Sequence, residues 1–140
     1  LPDNISEEAM ELLLKDESIK KTKDIINKST IILYSCGNAE HIARKREVKE
    51  EVLNEILEKG AVGEAYGCYF DEKGSLIYLT PSSGINTDNF KHITVHIAVA
   101  GGLKKARAIY SSIKDDSKAI LFTDQAAAEE IIRLYGHEVV

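Results

Sequence analysis

The sequence lacks the features that mark several classes of protein. No apolar run approaches the roughly 18 residues that a helix needs to cross a bilayer. The first ten residues contain neither the basic nor the apolar region of an export signal. There is also no initiator methionine, so we expect the sequence to be a piece of a longer chain. We therefore predict a cytoplasmic protein with no membrane partner.

Cysteine is also scarce, and acidic residues outnumber basic ones. The only two cysteines, Cys36 and Cys68, have no metal-site spacing, which indicates reduced thiols in the cytoplasm. No histidine pair shows the HExxH spacing of a zinc site, so we predict neither a metal nor a cofactor. The net charge is −5, whereas a nucleic-acid surface usually shows a basic excess. We expect any contact with DNA to come from residues outside this sequence.

The apolar pattern predicts a single α/β domain over residues 1–140. Three β-rich runs, at residues 30–35, 93–99 and 119–122, are each followed directly by a helical pattern. This βα alternation is typical of a Rossmann-like, mainly parallel sheet, and the apolar second run predicts a strand covered on both faces. The segment AYGCYFDEKGSLIYLT predicts an antiparallel hairpin that turns at DEKG.

Three short loops should meet at the carboxyl edge of this sheet, where open parallel sheets bind ligands. They are residues 35–38, which include Gly37, residues 100–102, and residues 123–124. Each loop opens a predicted helix, and a helix N-terminus favours anions such as phosphate. The loops therefore predict an anion site.

The loop with Gly101 and Gly102 carries the sharpest signal. Its glycines would let the backbone approach a ligand, and Lys104 and Lys105 would occupy the first turn of a helix from about residue 103 to 113. A lysine there opposes the helix dipole, and a bound anion would offset that penalty. The alternative is a tight turn with two solvated lysines. The spacing is not that of a Walker phosphate loop.

Other charged residues admit two interpretations each. The run Arg44-Lys45-Arg46 either complements the C-terminus of a short helix or clamps a phosphate. Glu64 is either a surface loop residue or an acceptor for sugar hydroxyl groups. Among the histidines, His96 fits a core position inside a strand, and His41 is a candidate for ligand contact.

Four motifs together resemble the sugar-binding domain of the SorC family of bacterial regulators. They are GNAEHIARKR, GAVGEAYGCYFDEKG, IAVAGGLKKARAI and LFTDQAAAEEII, in this order along the chain. The resemblance runs from about Leu1 to Tyr135. It implies the fold of the ribose-phosphate isomerase, glucosamine-phosphate deaminase and coenzyme A transferase group. It also implies a homo-oligomeric repressor of glycolytic genes that binds operator DNA through an N-terminal helix-turn-helix domain and responds to fructose 1,6-bisphosphate.

The same resemblance implies roles for individual residues. Lys105, with the backbone of Gly101 and Gly102, would hold a phosphate, Lys45 and Arg46 would assist, and Glu64 would bind sugar hydroxyl groups. Two departures stand out. The family usually has arginine at the position of Lys45, and lysine there loses bidentate geometry. The family domain also begins well before Leu1, so we expect this sequence to be its C-terminal, larger part.

Three functions remain possible on this basis. The first is an effector-sensing module, without enzyme activity, whose ligand shifts a DNA-binding equilibrium. The second is a sugar-phosphate isomerase or deaminase, which requires a base near the substrate carbon; Glu64 and Asp124 are the carboxylates predicted near that edge. The third, a dinucleotide-binding redox domain, is disfavoured because no G-x-G-x-x-G follows the first strand.

Overall fold

Within residues 6–80 and 87–136, which the computed structural model describes, seven strands form two sheets. The strands are β1 Ile31–Tyr34, β2 Cys36–Asn38, β3 Ala61–Ala65, β4 Cys68–Asp71, β5 Leu76–Leu79, β6 Val95–Val99 and β7 Ala119–Phe122. The helices are α1 Glu7–Leu13, α2 Glu17–Asn27, α3 Ala39–Lys45, α4 Glu50–Glu58, α5 Thr87–His92, α6 Ala106–Ile113 and α7 Gln125–Tyr135. A 3₁₀ turn, Leu103–Lys105, precedes α6. The α/β class is confirmed.

The parallel sheet has the strand order β1-β6-β7, so β6 is its central strand. Both pairings are parallel, with Ile31 opposite Val95 and Ala98 opposite Leu121. The three predicted strands are therefore adjacent, and their carboxyl ends meet at one edge. Helix α6 connects β6 to β7, as the βα alternation predicts.

The antiparallel part is larger than the predicted hairpin. Its strand order is β2-β3-β4-β5, and all three pairings are antiparallel. Residues 36–38, predicted as loop, form β2 because they pair with β3. The predicted first hairpin strand is divided by a two-residue turn, since Tyr66 and Gly67 have φ of 44° and 90°. Positive φ at both central residues is typical of a tight hairpin turn that matches the strand twist.

Side-chain caps fix the starts of several helices. Ser6 caps α1 and Asp16 caps α2. The side chain of Asn38 accepts a hydrogen bond from the backbone N–H of His41 at 3.0 Å and so begins α3. Asp124 caps α7 in the same way through Ala127. An N-cap acceptor satisfies an N–H group that has no partner within the helix.

The predicted helix from about residue 103 to 113 is wrong at its start. The chain forms the 3₁₀ turn first, and the α-helix begins only at Ala106. Lys105 consequently stands at the junction between the turn and α6, with φ of −95°.

The main core lies between the two sheets. The parallel sheet contributes Ile32 and Ala98, the antiparallel sheet contributes Cys36 and Ala65, and α6 contributes Ile109. A second core cluster packs α3 and α4 on β3 and β4. These contacts attach the antiparallel sheet and its helices to one side of the parallel sheet.

The opposite face of the parallel sheet carries exposed apolar side chains. They are Ile31, Leu33, Val99, Ile120 and Phe122, which are 47% to 70% exposed. The predicted coverage of β6 on both faces is therefore only partial among the described residues, because Val95 and Ile97 are half-buried and Val99 is exposed. Exposed residues alternate with buried ones along β1 and with half-buried ones along β7, which follows from the two-residue repeat of a strand with one packed face.

Candidate functional site

A cavity of about 650 Å³ opens at the carboxyl edge of the parallel sheet. Three separate parts of the chain line it. The segment from the end of β1 through α3 contributes Gly37 and His41, β3 contributes Glu64, and the 3₁₀ turn contributes Lys104 and Lys105. Parallel pairing brings these distant segments together because the strands end at one edge.

The cavity is strongly cationic. Four of its side chains, Lys45, Arg46, Lys104 and Lys105, carry positive charge, and Glu64 is its one carboxylate among the described residues. The whole chain, in contrast, has a net charge of −5. This local reversal of charge favours an anionic ligand, because a concave site of one sign raises the local concentration of the opposite charge.

A second, more open cavity of about 490 Å³ adjoins the first. The two share Ser35 and Lys105, and the second is also lined by Gly101, Thr123 and Asp124. All three predicted loops therefore converge at this edge. The structure brings together each of the candidate site residues except Gly102, which belongs to the same loop as Gly101 but lines neither cavity.

Glu64 is a buried residue of the site. It is 4% exposed, so the surface-loop interpretation is wrong. Its Oε1 accepts a hydrogen bond from the N–H of Gly67 at 2.7 Å and lies 3.2 Å from Nη1 of Arg46. The Tyr66-Gly67 turn thus fixes the carboxylate, and the carboxylate in turn fixes Arg46. Burying a charge is costly unless it is paired and hydrogen-bonded, and Glu64 has both kinds of partner.

The basic run from Arg44 to Arg46 divides between the two interpretations. Arg44 points to solvent and pairs with Glu40 one helical turn away, at 3.0 Å. An exposed pair of this kind contributes about 0.3–0.5 kcal/mol to a helix. Lys45 and Arg46 instead line the cavity, and Arg46 is the residue that pairs with Glu64.

The two glycines of the loop after β6 have a structural partner in Asp124. The N–H of Gly102 donates to Oδ2 of Asp124 at 2.6 Å, so that N–H is already paired. Gly102 has φ of 97°, a conformation that side chains disfavour. Lys104 is exposed and Lys105 is half-buried, so Lys105 is the more confined of the two lysines.

Cys36, a residue of the first predicted loop, lines the cavity although it was not among the predicted ligand-binding residues. Burial raises the pKa of the Cys36 thiol to about 11, although a hydrogen bond to Ser112 and the charge of Lys105 act in the other direction. The thiol therefore stays protonated at neutral pH and is a poor nucleophile.

The opposite edge of the sheet has a different cavity, of about 320 Å³. His96 lies there, 2% exposed, with Nδ1 at 2.6 Å from Oδ2 of Asp116 and Nε2 at 3.1 Å from the carbonyl oxygen of Ile93. The ring of Phe90 lies 4.0 Å from the His96 ring, centroid to centroid. The prediction of His96 as a core histidine with satisfied polar atoms is confirmed.

In residues 6–80 and 87–136, no group of three or more His, Cys, Asp or Glu residues is arranged to hold a metal ion. Over the same residues, no helix combines the length and apolar character that crossing a membrane requires.

The chain is similar to known proteins over most of its length. Residues 1–133 match the family described as "Putative sugar-binding domain". The central glycolytic genes regulators of Priestia megaterium and Bacillus subtilis are 34% and 32% identical to the chain, each over 133 residues. Those alignments cover 95% of this chain and 39% of either relative.

A solved structure agrees with the fold. The crystal structure of a SorC-family transcriptional regulator from Enterococcus faecalis aligns with a TM-score of 0.88 and 34% sequence identity. The alignment covers 94% of this chain and 54% of the chain in that crystal structure. The chain thus spans about half of that structure and a smaller share of the curated relatives.

Proposed function

The chain belongs to the sugar-binding domain family of SorC-type transcriptional regulators, and from that premise we propose that it senses a phosphorylated sugar and thereby controls DNA binding. The observation that carries this proposal is the cationic cavity at the sheet edge. Four positive side chains surround one fixed carboxylate there, in a chain that is acidic as a whole. A sugar phosphate offers the matching chemistry, a charged group and several hydroxyl groups.

Each end of such a ligand has suitable partners. Lys45, Arg46 and Lys105 supply charged donors for phosphate oxygens, and charge-assisted hydrogen bonds are about twice as strong as neutral ones. Glu64 supplies an acceptor for a sugar hydroxyl group, held in place by Arg46 and the N–H of Gly67. Gly37 and Gly101 line the two cavities, and a Cβ atom at either position would collide with Ile42 or Asp124.

We propose fructose 1,6-bisphosphate as the first effector to test. Two relatives are named as regulators of central glycolytic genes, and the two adjoining cavities provide space for a ligand with two anionic ends. Lys105 lies between these spaces and would contact the ligand at its middle or at either phosphate.

The remaining parts of the proposal concern the whole protein. We propose that residues 1–140 are the C-terminal, larger part of the effector domain of a cytoplasmic homo-oligomer. Operator DNA would bind through a separate helix-turn-helix domain. A ligand alters that binding only if its affinity differs between the DNA-bound and the released conformations. The acidic charge of this chain supports a division of labour between a sensing and a DNA-binding domain.

Calorimetric titration of the purified protein tests the effector. We expect fructose 1,6-bisphosphate to bind, and fructose without phosphate to bind far more weakly because it lacks the charged groups. At a concentration one hundred times the dissociation constant, the ligand should raise the free energy of unfolding by about 2.7 kcal/mol. Absence of binding by fructose 1,6-bisphosphate and by a panel of other sugar phosphates would refute the proposal.

A sugar-phosphate isomerase or deaminase is the second candidate. The observation in its favour is that His41 and Glu64 line the same cavity, which their separation in sequence did not indicate. We expect no turnover of ribose 5-phosphate, glucosamine 6-phosphate or fructose phosphates above background. Turnover that disappears in Glu64→Gln would establish the enzyme instead.

A further inference from the structure

Asp124 joins the loop after β7 to the loop after β6. Its Oδ1 accepts a hydrogen bond from the N–H of Ala127 at 2.8 Å, which caps α7. Its Oδ2 accepts a hydrogen bond from the N–H of Gly102 at 2.6 Å, 22 residues away in sequence. One carboxylate therefore connects two elements at the carboxyl edge, and each oxygen has its own donor.

Gly101 is shaped to admit this carboxylate. A Cβ atom at Gly101 would lie 2.5 Å from Oδ2 of Asp124, closer than real Cβ contacts allow. At Gly102 no atom lies within 4 Å of the corresponding position, but φ is 97°. The Gly-Gly sequence is thus accounted for by two requirements, room for Asp124 at Gly101 and a left-handed backbone at Gly102.

Gly102 links Asp124 to Lys105 through its two backbone hydrogen bonds. The N–H of Lys105 donates to the carbonyl oxygen of Gly102 at 2.8 Å, so the peptide groups on both sides of Gly102 are held. The chain of contacts runs from the start of α7 through Asp124 and Gly102 to Lys105. Lys105 is the residue that lines both cavities together with Ser35.

We propose that Asp124 is a positioning residue for the anion site, which sets the place of Lys105 by anchoring the Gly101-Gly102 loop. This role rests on the proposed function, since it concerns the binding of a sugar phosphate. Asp124 contributes through geometry, because its own charge has the wrong sign for an anion site.

The negative charge of Asp124 allows a positioning role to be distinguished from a direct electrostatic effect on the ligand. If Asp124 acted on the ligand by charge alone, neutralising it would strengthen the binding of an anion. A positioning role predicts the opposite. The N–H groups of Gly102 and Ala127 meet different oxygens of Asp124, and in Asp124→Asn one of these two atoms becomes an NH₂ donor, so one N–H loses its acceptor. Asparagine is itself a good N-cap, so α7 should keep its cap while the loop loses its anchor.

The experiment is calorimetric titration of the purified protein with fructose 1,6-bisphosphate and, separately, with inorganic phosphate. We expect Asp124→Asn to weaken binding by about tenfold. Asp16→Asn is the matched control, because Asp16 is also an N-cap, that of α2, and the substitution removes the same charge. We expect its affinity to equal that of the wild type.

A double-mutant cycle with Lys105→Ala separates positioning from a general structural effect. If Asp124 acts through Lys105, Asp124→Asn should change affinity less than about twofold once Lys105 is alanine. An equal loss in both backgrounds overturns the inference, and so does unchanged or tighter binding by Asp124→Asn alone. If the wild type binds neither probe, the proposed function fails and the inference fails with it.

Gly101→Ala provides a second route to the same contact. Its Cβ would displace the Asp124 carboxylate without altering any charge, so we expect a loss of affinity similar to that of Asp124→Asn. Urea unfolding of each variant establishes that the protein is folded. If neither variant folds, Asp124 is a requirement of the fold, and its assignment as a positioning residue of the site is wrong.

Discussion

The two edges of the parallel sheet each contain a carboxylate in contact with a basic side chain, but the pairs serve different purposes. At the carboxyl edge, Glu64 contacts Arg46 beside a cavity that holds three further cations. At the opposite edge, His96 contacts Asp116, and both ring nitrogens of His96 have partners within the protein. Positive charge is in excess at the first edge, whereas at the second edge Asp116 and the carbonyl oxygen of Ile93 already pair with the His96 ring.

Whether a charged or polar side chain has all its partners within the protein therefore indicates whether it serves ligand binding or folding. Charge in excess of its internal partners remains available to a ligand, and the cations at the carboxyl edge outnumber the nearby carboxylate. A buried polar group that is fully paired contributes to a unique packing arrangement instead. Substitutions at the two edges should therefore affect different measurements, affinity at one and stability at the other.

The largest effect is expected for Lys105→Ala at the carboxyl edge. Loss of a charge-assisted hydrogen bond should reduce affinity for fructose 1,6-bisphosphate by about 1.5–3 kcal/mol, or roughly tenfold to more than a hundredfold. The free energy of unfolding should change little, because Lys105 is only half-buried and stands at a helix start. Titration calorimetry and urea unfolding measure the two quantities.

Lys104→Ala is the matched control for that prediction. Lys104 lines the same cavity but is exposed, so water already solvates its charge and its loss should matter less. A greater loss of affinity for Lys104→Ala than for Lys105→Ala would show that the wrong lysine has been assigned to the ligand.

A substitution at the opposite edge should lower stability and leave affinity for the ligand unchanged. Asp116→Ala would leave Nδ1 of the buried His96 without its carboxylate partner, at an expected cost of about 1–3 kcal/mol in stability. Urea unfolding measures this cost, and titration should give the wild-type affinity because the two edges share no residue. A comparable loss of affinity in Asp116→Ala would show that the two edges are coupled.

The smallest effect concerns Cys36, which lies where the open cavity meets the core. Burial raises the pKa of its thiol from an ordinary value near 9 to about 11. The unfolded chain therefore releases this proton at lower pH than the folded one, so stability falls as pH rises from 9 to 11. Between pH 8 and 10.5 this should account for about 1–2 kcal/mol.

Urea unfolding at both pH values tests that contribution in Cys36→Ala. The variant should lose less stability than the wild type over this interval, by about the stated amount. Cys68→Ala offers a comparison, since burial also raises the pKa of the Cys68 thiol to about 11. An equal fall in wild type and Cys36→Ala would show that Cys36 is accessible to solvent from the cavity.

Local patterns predicted the elements whose signals lie within a few residues. The β-branched runs predicted all three parallel strands. Strand β2 was missed because it has three residues and includes Gly37, so it carries no apolar alternation. The Tyr66-Gly67 turn was missed because tyrosine rarely occupies a left-handed position, although the glycine beside it was a signal.

The candidate site shows the same division between local and distant information. The sequence by itself determined the βα order, and with it the edge where Gly37, Lys105 and Asp124 would meet, since strand direction fixes which loops share an edge. Only the tertiary structure decided that Glu64 is buried against Arg46, that Arg44 faces solvent, and that Gly102 is paired with Asp124. Each of those outcomes depends on contacts between segments many residues apart or on which way a side chain points. Such contacts leave no periodicity in the sequence, because their energy arises only when the packed elements bring the partners together.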